Sequence, residues 1–93
     1  MALVHVAPEA TKYLTRLIAV LNLPDDTAQR VKRSIEPLAD FPMMGRKVSG
    51  EWQGLRSLVG PWPWLIVVYD YEEEHDRVIV VTIQDSRSST QNR

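Results

Sequence analysis

The chain reads as a single α+β domain in which an N-terminal helical hairpin packs on a three- to four-stranded antiparallel sheet. Three observations predict this. Between Pro8 and Leu38 the apolar residues recur at spacings of three and four, the period of a helix. From Trp52 onward the period becomes that of strands, in runs rich in valine, isoleucine and aromatic residues. The 93 residues suffice for one hydrophobic core and not for two.

Leu3–Val6 alternates weakly and is read as a short first strand. Pro8 and Glu9 suit the start of a helix, because proline fits the first helical position and a carboxylate favours the first turn. Ala10, Tyr13, Leu14, Leu17, Ile18 and Leu21 make one apolar stripe, and the helix is expected to end near Asn22. Leu23-Pro24-Asp25-Asp26-Thr27 is a tight link into a second helix with Ala28, Val31, Ile35 and Leu38 inward. So short a link implies an antiparallel pair. Pro37 interrupts the second pattern, and a kink or loosened last turn is expected there, since Leu38 and Phe41 still fit the inward face.

The join to the sheet is Asp40-Phe41-Pro42-Met43-Met44-Gly45-Arg46. A helix must stop before Pro42, and Gly45 permits a sharp change of direction. Trp52–Val59 is the next strand candidate, with Leu55 as its buried residue. Gly60-Pro61-Trp62-Pro63 must be a turn, because two prolines and a glycine cannot serve a central ladder. Trp64–Tyr71 and Arg77–Gln84 are strands, joined by a hairpin loop at Glu72–Asp76. Both are apolar on both faces, so one face packs on the helices and the other needs a cover from the chain's termini or a partner. Residues 86–93 contain no apolar side chain and form a polar tail that is expected to fray.

Composition excludes several functions. Eleven Lys and Arg against twelve Asp and Glu give a formal charge of −1, so no strong basic footprint for nucleic acid is present, although a local patch is compatible with that total. With no cysteine there is no disulfide, thiolate nucleophile or zinc knuckle. No stretch approaches the roughly 20 apolar residues of a membrane span, and the first six residues lack the features of a signal peptide. A soluble, cytoplasmic protein is expected. No phosphate loop, nucleophile elbow or metal-ligand spacing occurs; His5 and His75 fall on separate elements, and Glu72-Glu73-Glu74 reads as a solvated hairpin tip. No cofactor and no metal are expected.

Two groups remain as site candidates. Trp62, in the turn, is the better candidate for exposure, and Trp64, at the head of a strand, for the core, with Trp52 nearby. Arg46, Arg56 and Arg87 each fall at the end or face of a sheet element. Converging on one concave surface, three guanidiniums would bind phosphates or carboxylates in bidentate fashion; the alternative is local neutralisation of Asp40, Glu51 and Asp85.

The ordered series helix, Phe41-Pro42-x-x-Gly45-Arg46, short loop, Gly54-Leu55-Arg56, strand, hairpin and strand resembles the RelE/ParE superfamily of bacterial toxins over roughly Pro8 to Arg87. The resemblance implies the toxin of a type II toxin–antitoxin pair, neutralised by a cognate antitoxin laid over its apolar grooves. In the nuclease branch, similar folds cut messenger RNA on the ribosome without a metal, using basic residues matched here by Arg46, Arg56 and Arg87 together with a C-terminal tyrosine or histidine. Here Gln84-Asp85-Ser86-Arg87 stands where many relatives have a His-Gly-Arg-Arg-like run, and Ser88–Arg93 holds neither tyrosine nor histidine. Lacking a proton donor or acceptor, in-line attack by a 2′-hydroxyl would lose about 10² to 10⁴ in rate. The chain resembles the ParE-like branch more closely, whose members bind a target, DNA gyrase in the best-known cases. A ribosome-dependent endoribonuclease and an inactive member that only binds antitoxin stand as alternatives.

Overall fold

In the computed structural model, which describes residues 1–50 and 54–89, two helices lie on one face of a five-stranded mixed sheet. The chain runs through β1 (Leu3–Val6), α1 (Pro8–Leu21), α2 (Thr27–Ile35), a 3₁₀ turn (Glu36–Ala39), β2 (Arg46–Lys47), β3 (Arg56–Val59), β4 (Leu65–Glu72), β5 (Arg77–Asp85) and a terminal helical turn, α3 (Ser86–Ser89). The strand order is β1-β5-β4-β3-β2.

The expected α+β architecture holds, and two details of the sheet are corrected. It has five strands rather than three or four, because the two-residue β2, too short to show a period, adds an edge to β3. It is also not wholly antiparallel, since β1 runs parallel to β5 in the register Leu3↔Arg77 to Val6↔Val80. The hairpin of helices between β1 and the rest of the sheet supplies the long crossover that a parallel pair needs.

Each helix end has a local cause. Asn22 takes the left-handed conformation at φ 52°, where asparagine is tolerated, and Leu23 N–H closes back onto Ile18 O at 3.0 Å. Thr27 is fully buried, its hydroxyl donating to Pro24 O at 2.6 Å, whereas Ala28 is exposed; the inward face of α2 is thus Thr27, Val31 and Ile35. At Pro37 the helix tightens into the 3₁₀ turn and keeps Leu38 fully buried, a contribution of about 1.5 to 3 kcal/mol. Tyr13 and Phe41, expected inward, are instead 45% and 65% exposed. The turn redirects the chain after Leu38, so Phe41 no longer follows the helical period.

The core joins Ala10 and Leu14 of α1, Val31 and Ile35 of α2 and Leu38 to Leu65, Val67 and Tyr69 of β4 and Val78, Val80 and Ile83 of β5. Simple alternation cannot put Val80 and Ile83 on one face. A bulge does so: Val68 pairs with Thr82 but Tyr69 pairs with Val80, leaving Val81 as the extra residue. The second face of the sheet is buried near its centre, at Val68 and Thr82, and open at its margin, where Val59 is exposed. Leu55 is half-buried and precedes β3, and Trp52 lies outside the described residues.

Candidate functional site

The loop that joins the helices to the sheet is held by two side chains from the sheet's interior. Tyr69 is fully buried on β4; its hydroxyl donates to Pro42 O at 2.8 Å and accepts from Gly45 N–H at 2.9 Å. Directly opposite on β3, Arg56 donates through Nη1 to Gly45 O at 2.9 Å and Met43 O at 3.2 Å. One guanidinium nitrogen carries two hydrogens, so it can serve both carbonyls. Burial pushes the Tyr69 hydroxyl pKa up, while the Gly45 N–H bond and the Arg56 charge pull it partly back, so at neutral pH the phenol keeps its proton and donates.

Gly45 is required for this closeness. A Cβ there would lie 2.6 Å from Tyr69 Oη and 2.8 Å from Ser57 O, nearer than any side chain tolerates. Between the clamp points, a turn closed by Met44 N–H to Phe41 O at 3.1 Å presents Phe41, Met43 and Met44 outward, 65%, 49% and 48% exposed. Arg46 and Lys47 follow, both exposed. A cleft of about 540 Å³ beside the loop is lined in part by Met43, Lys47, Leu55, Arg56, Asp70 and Tyr71.

The three arginines singled out from the sequence occupy three settings. Arg56 is committed to the loop carbonyls. Arg46 pairs with Ser57 across β2 and β3, so alternation turns it to the face opposite Arg56; Lys47 is the residue across from Arg56 and shares its face. Arg87 stands at the other end of the sheet: Asp85 pairs with Leu65, four residues and about 13 Å along β4 from Tyr69. There Arg87 forks onto the Asp85 carboxylate, Nε to Oδ1 at 3.1 Å and Nη2 to Oδ2 at 3.2 Å, and lies over the Trp64 ring at 4.1 Å. Trp64 stacks on Trp62 with centroids 5.6 Å apart and planes 5° apart, and Arg30 of α2 lies over Trp62 at 5.9 Å. Both tryptophans are half-buried against the core, so this Arg–Trp–Trp–Arg stack closes the end of the domain.

Sequence reasoning missed Tyr69 and Lys47. The signal for Lys47 is its position next to Arg46; that for Tyr69 is absent, since its partners lie 24 and 27 residues away.

A second feature is an apolar groove of about 840 Å³ between the free edge of β1 and the helices, floored by Val4, Leu14, Val31, Ile35 and Ile83 and rimmed by Lys32 and Arg33. The acidic hairpin tip is internally paired: Arg77 meets Glu72 at 2.6 Å, and Tyr71 hydroxyl donates to Asp76 Oδ1 at 2.8 Å, which raises the tyrosine's pKa. Among the described residues no three His, Asp or Glu side chains come together as metal ligands, and no helix is long and apolar enough to cross a membrane.

The fold carries two apolar surfaces, a clamped loop and an open groove, on a small α+β domain. The chain belongs to the family of ParE toxins of type II toxin–antitoxin systems (parDE), whose pattern matches residues 4–89. Solved structures agree on the fold. The Mycobacterium tuberculosis toxin–antitoxin complex RelBE2 contains a chain that is 20% identical with a TM-score of 0.67, over 90% of this chain and 96% of that one. A Helicobacter pylori toxin solved in a metal-bound form is 18% identical with a TM-score of 0.69, over 95% and 98%. No curated protein matches significantly in sequence.

Proposed function

We propose that this protein is the toxin of a type II toxin–antitoxin pair, acting in the cytoplasm by gripping an essential, gyrase-like target and neutralised by a cognate antitoxin. The family match over residues 4–89 carries the reading. The antitoxin lies in the groove of about 840 Å³ beside β1, whose apolar floor and open Leu3–Val6 edge suit an added segment. The neighbouring RelBE2 structure is itself a toxin–antitoxin complex, which supports a partner of this kind. Of the three arginines, Arg46 is assigned to target contact and Arg56 to holding the loop beside it, while Arg87, at the other end of the sheet on Asp85 and Trp64, is assigned to a separate contact at the C-terminal end.

Cleavage of ribosome-bound messenger RNA is the less supported mechanism, because the sequence from Gln84 to Arg93 offers no tyrosine or histidine to move a proton. Induction of this chain alone in a bacterial host, with pulse-labelling of DNA and protein synthesis, tests the reading. An early stop in DNA synthesis is expected. An early stop in protein synthesis with cut messages would replace target binding by the nuclease, and unimpaired growth would leave only an antitoxin-binding remnant.

A further inference from the structure

Phe41, Met43 and Met44 form a short run of large apolar side chains in the open, on a loop that gives the core no side chain beyond Leu38. Scattered exposed hydrophobics need no explanation, but a contiguous group does. This group is also rigidly displayed. Four hydrogen bonds from Tyr69, Arg56 and Gly45, together with the fixed φ of Pro42, hold the backbone within it at Pro42 and Met43 and just after it at Gly45. A loop whose only task was to connect two elements would not require a buried phenol, an arginine and a glycine with no room for a Cβ. Preorganisation of this kind lowers the entropy lost on association, which is where it has value.

We propose that the Phe41–Met44 loop, with Arg46 and Lys47 at its base, is the surface that grips the growth-inhibition target, and that the target is a folded protein presenting an apolar pocket rimmed by carboxylates. The inference rests on the toxin reading above and specifies its target-binding surface. Phenylalanine and methionine at the centre with cations outside is the layout of a protein–protein anchor. The side chains of Arg46 and Lys47 make no hydrogen bond or ion pair among the described residues, so both are available to acidic partners. Nucleic acid fits less well: two cations and a net charge of −1 provide little counterion release, and Met43 and Met44 offer nothing to a phosphate. None of the three apolar side chains except Met43 lines either the cleft or the groove, and Met43 lines only the cleft, so the loop is separate from the antitoxin groove.

The experiment titrates inducer against growth for the wild-type chain, for Phe41→Ala with Met44→Ala, for Arg46→Gln with Lys47→Gln, and for Val20→Ala, an exposed apolar control on α1 outside both surfaces. Soluble level and thermal unfolding are measured for each. The expected result is that the apolar pair needs about tenfold more inducer or more for the same arrest, as loss of anchor residues implies. The cation pair should lose less and the control nothing, all with wild-type folding. Arrest by the apolar pair at wild-type inducer levels overturns the proposal while leaving the toxin reading intact. Loss confined to the cation pair overturns it in favour of a nucleic-acid target. No arrest by the wild type refutes the toxin reading itself, and this inference with it.

Discussion

Tyr69→Phe tests whether the loop is held as the geometry says. The change deletes one oxygen and keeps the ring that fills the core, so no cavity of consequence opens. Two hydrogen bonds are lost, to Pro42 O and from Gly45 N–H, and the buried Gly45 N–H is left without its acceptor. At about 0.5 to 1.5 kcal/mol for each bond, the cost is about 2 kcal/mol. A domain of this length has roughly 5 to 14 kcal/mol in total, so the variant should fold. Its Tm should fall by about 8 to 16 °C. If the loss is local, exchange of the Gly45 amide should quicken by roughly 30-fold, while amides of β4 and β5 change less. Alkaline pH provides a second reading. Because the folded-state pKa of Tyr69 lies above 10.0, the unfolded chain releases this proton first. The tyrosine's contribution is therefore complete below about pH 10 and lost as pH rises through the folded value, and the stability gap between wild type and Tyr69→Phe should narrow there. Tyr71, also raised, is present in both proteins and cancels in the difference. Urea unfolding followed by tryptophan fluorescence measures the gap. A variant within about 0.5 kcal/mol of wild type, the spread of ordinary surface changes, with unchanged Gly45 exchange, would refute the clamp.

Other outcomes follow from the same geometry. Gly45→Ala should destabilise by about 1 to 3 kcal/mol in urea, since its Cβ meets Tyr69 Oη at 2.6 Å and backbone at 2.8 Å; a neutral result would mean the loop is not tightly placed. The stacked tryptophans should give a far-ultraviolet circular-dichroism exciton couplet that Trp62→Phe abolishes while leaving the fold intact, and a couplet surviving in the variant would deny the stacking. Asp85→Asn should cost about 1 to 2 kcal/mol, as it weakens the fork to Arg87 and the acceptor for its N–H, measured by thermal unfolding against Arg87→Ala. Leu3→Glu, at a side chain 72% exposed on the groove, should fold normally and arrest growth but escape rescue by co-expressed antitoxin; rescue equal to wild type would move the antitoxin elsewhere.

The elements of the fold were legible because their signals are local. Pro8 and Asn22 bracket α1, and the valine-rich runs give β4 and β5 to within a residue or two. What escaped depends on pairing. The parallel partnership of β1 with β5 joins residues about 74 apart in sequence, and β2 exists only because β3 lies beside it. The bulge at Val68/Tyr69 is invisible to a count of alternation, since it changes which parity faces inward halfway along β5. Phe41 departs from the helical period for a related reason: at Pro37 the backbone tightens and turns, so the period that would bury Phe41 ends there.

The site shows the same division at the level of single side chains. An arginine's position in the sequence says that a cation is present, and not what stands within 3 Å of it. Arg56 is engaged by carbonyls 11 and 13 residues away because β3 brings it beneath the loop, and Arg87 by a carboxylate only two residues away together with a tryptophan supplied by the β3–β4 turn. The first arrangement is long-range and could not be read ahead of the register; the second was foreseeable from the Asp85-Ser86-Arg87 spacing alone. This distinction bears on how losses at the three arginines should be interpreted. Arg46→Ala removes an exposed charge that makes no ion pair among the described residues, so it should lower toxicity without moving Tm. Arg56→Ala frees two loop carbonyls, and it should lower both together, by about 1 to 2 kcal/mol in stability. Equal stability losses at the two positions would contradict the division, because an exposed arginine with no partner among the described residues has little in the folded state to lose.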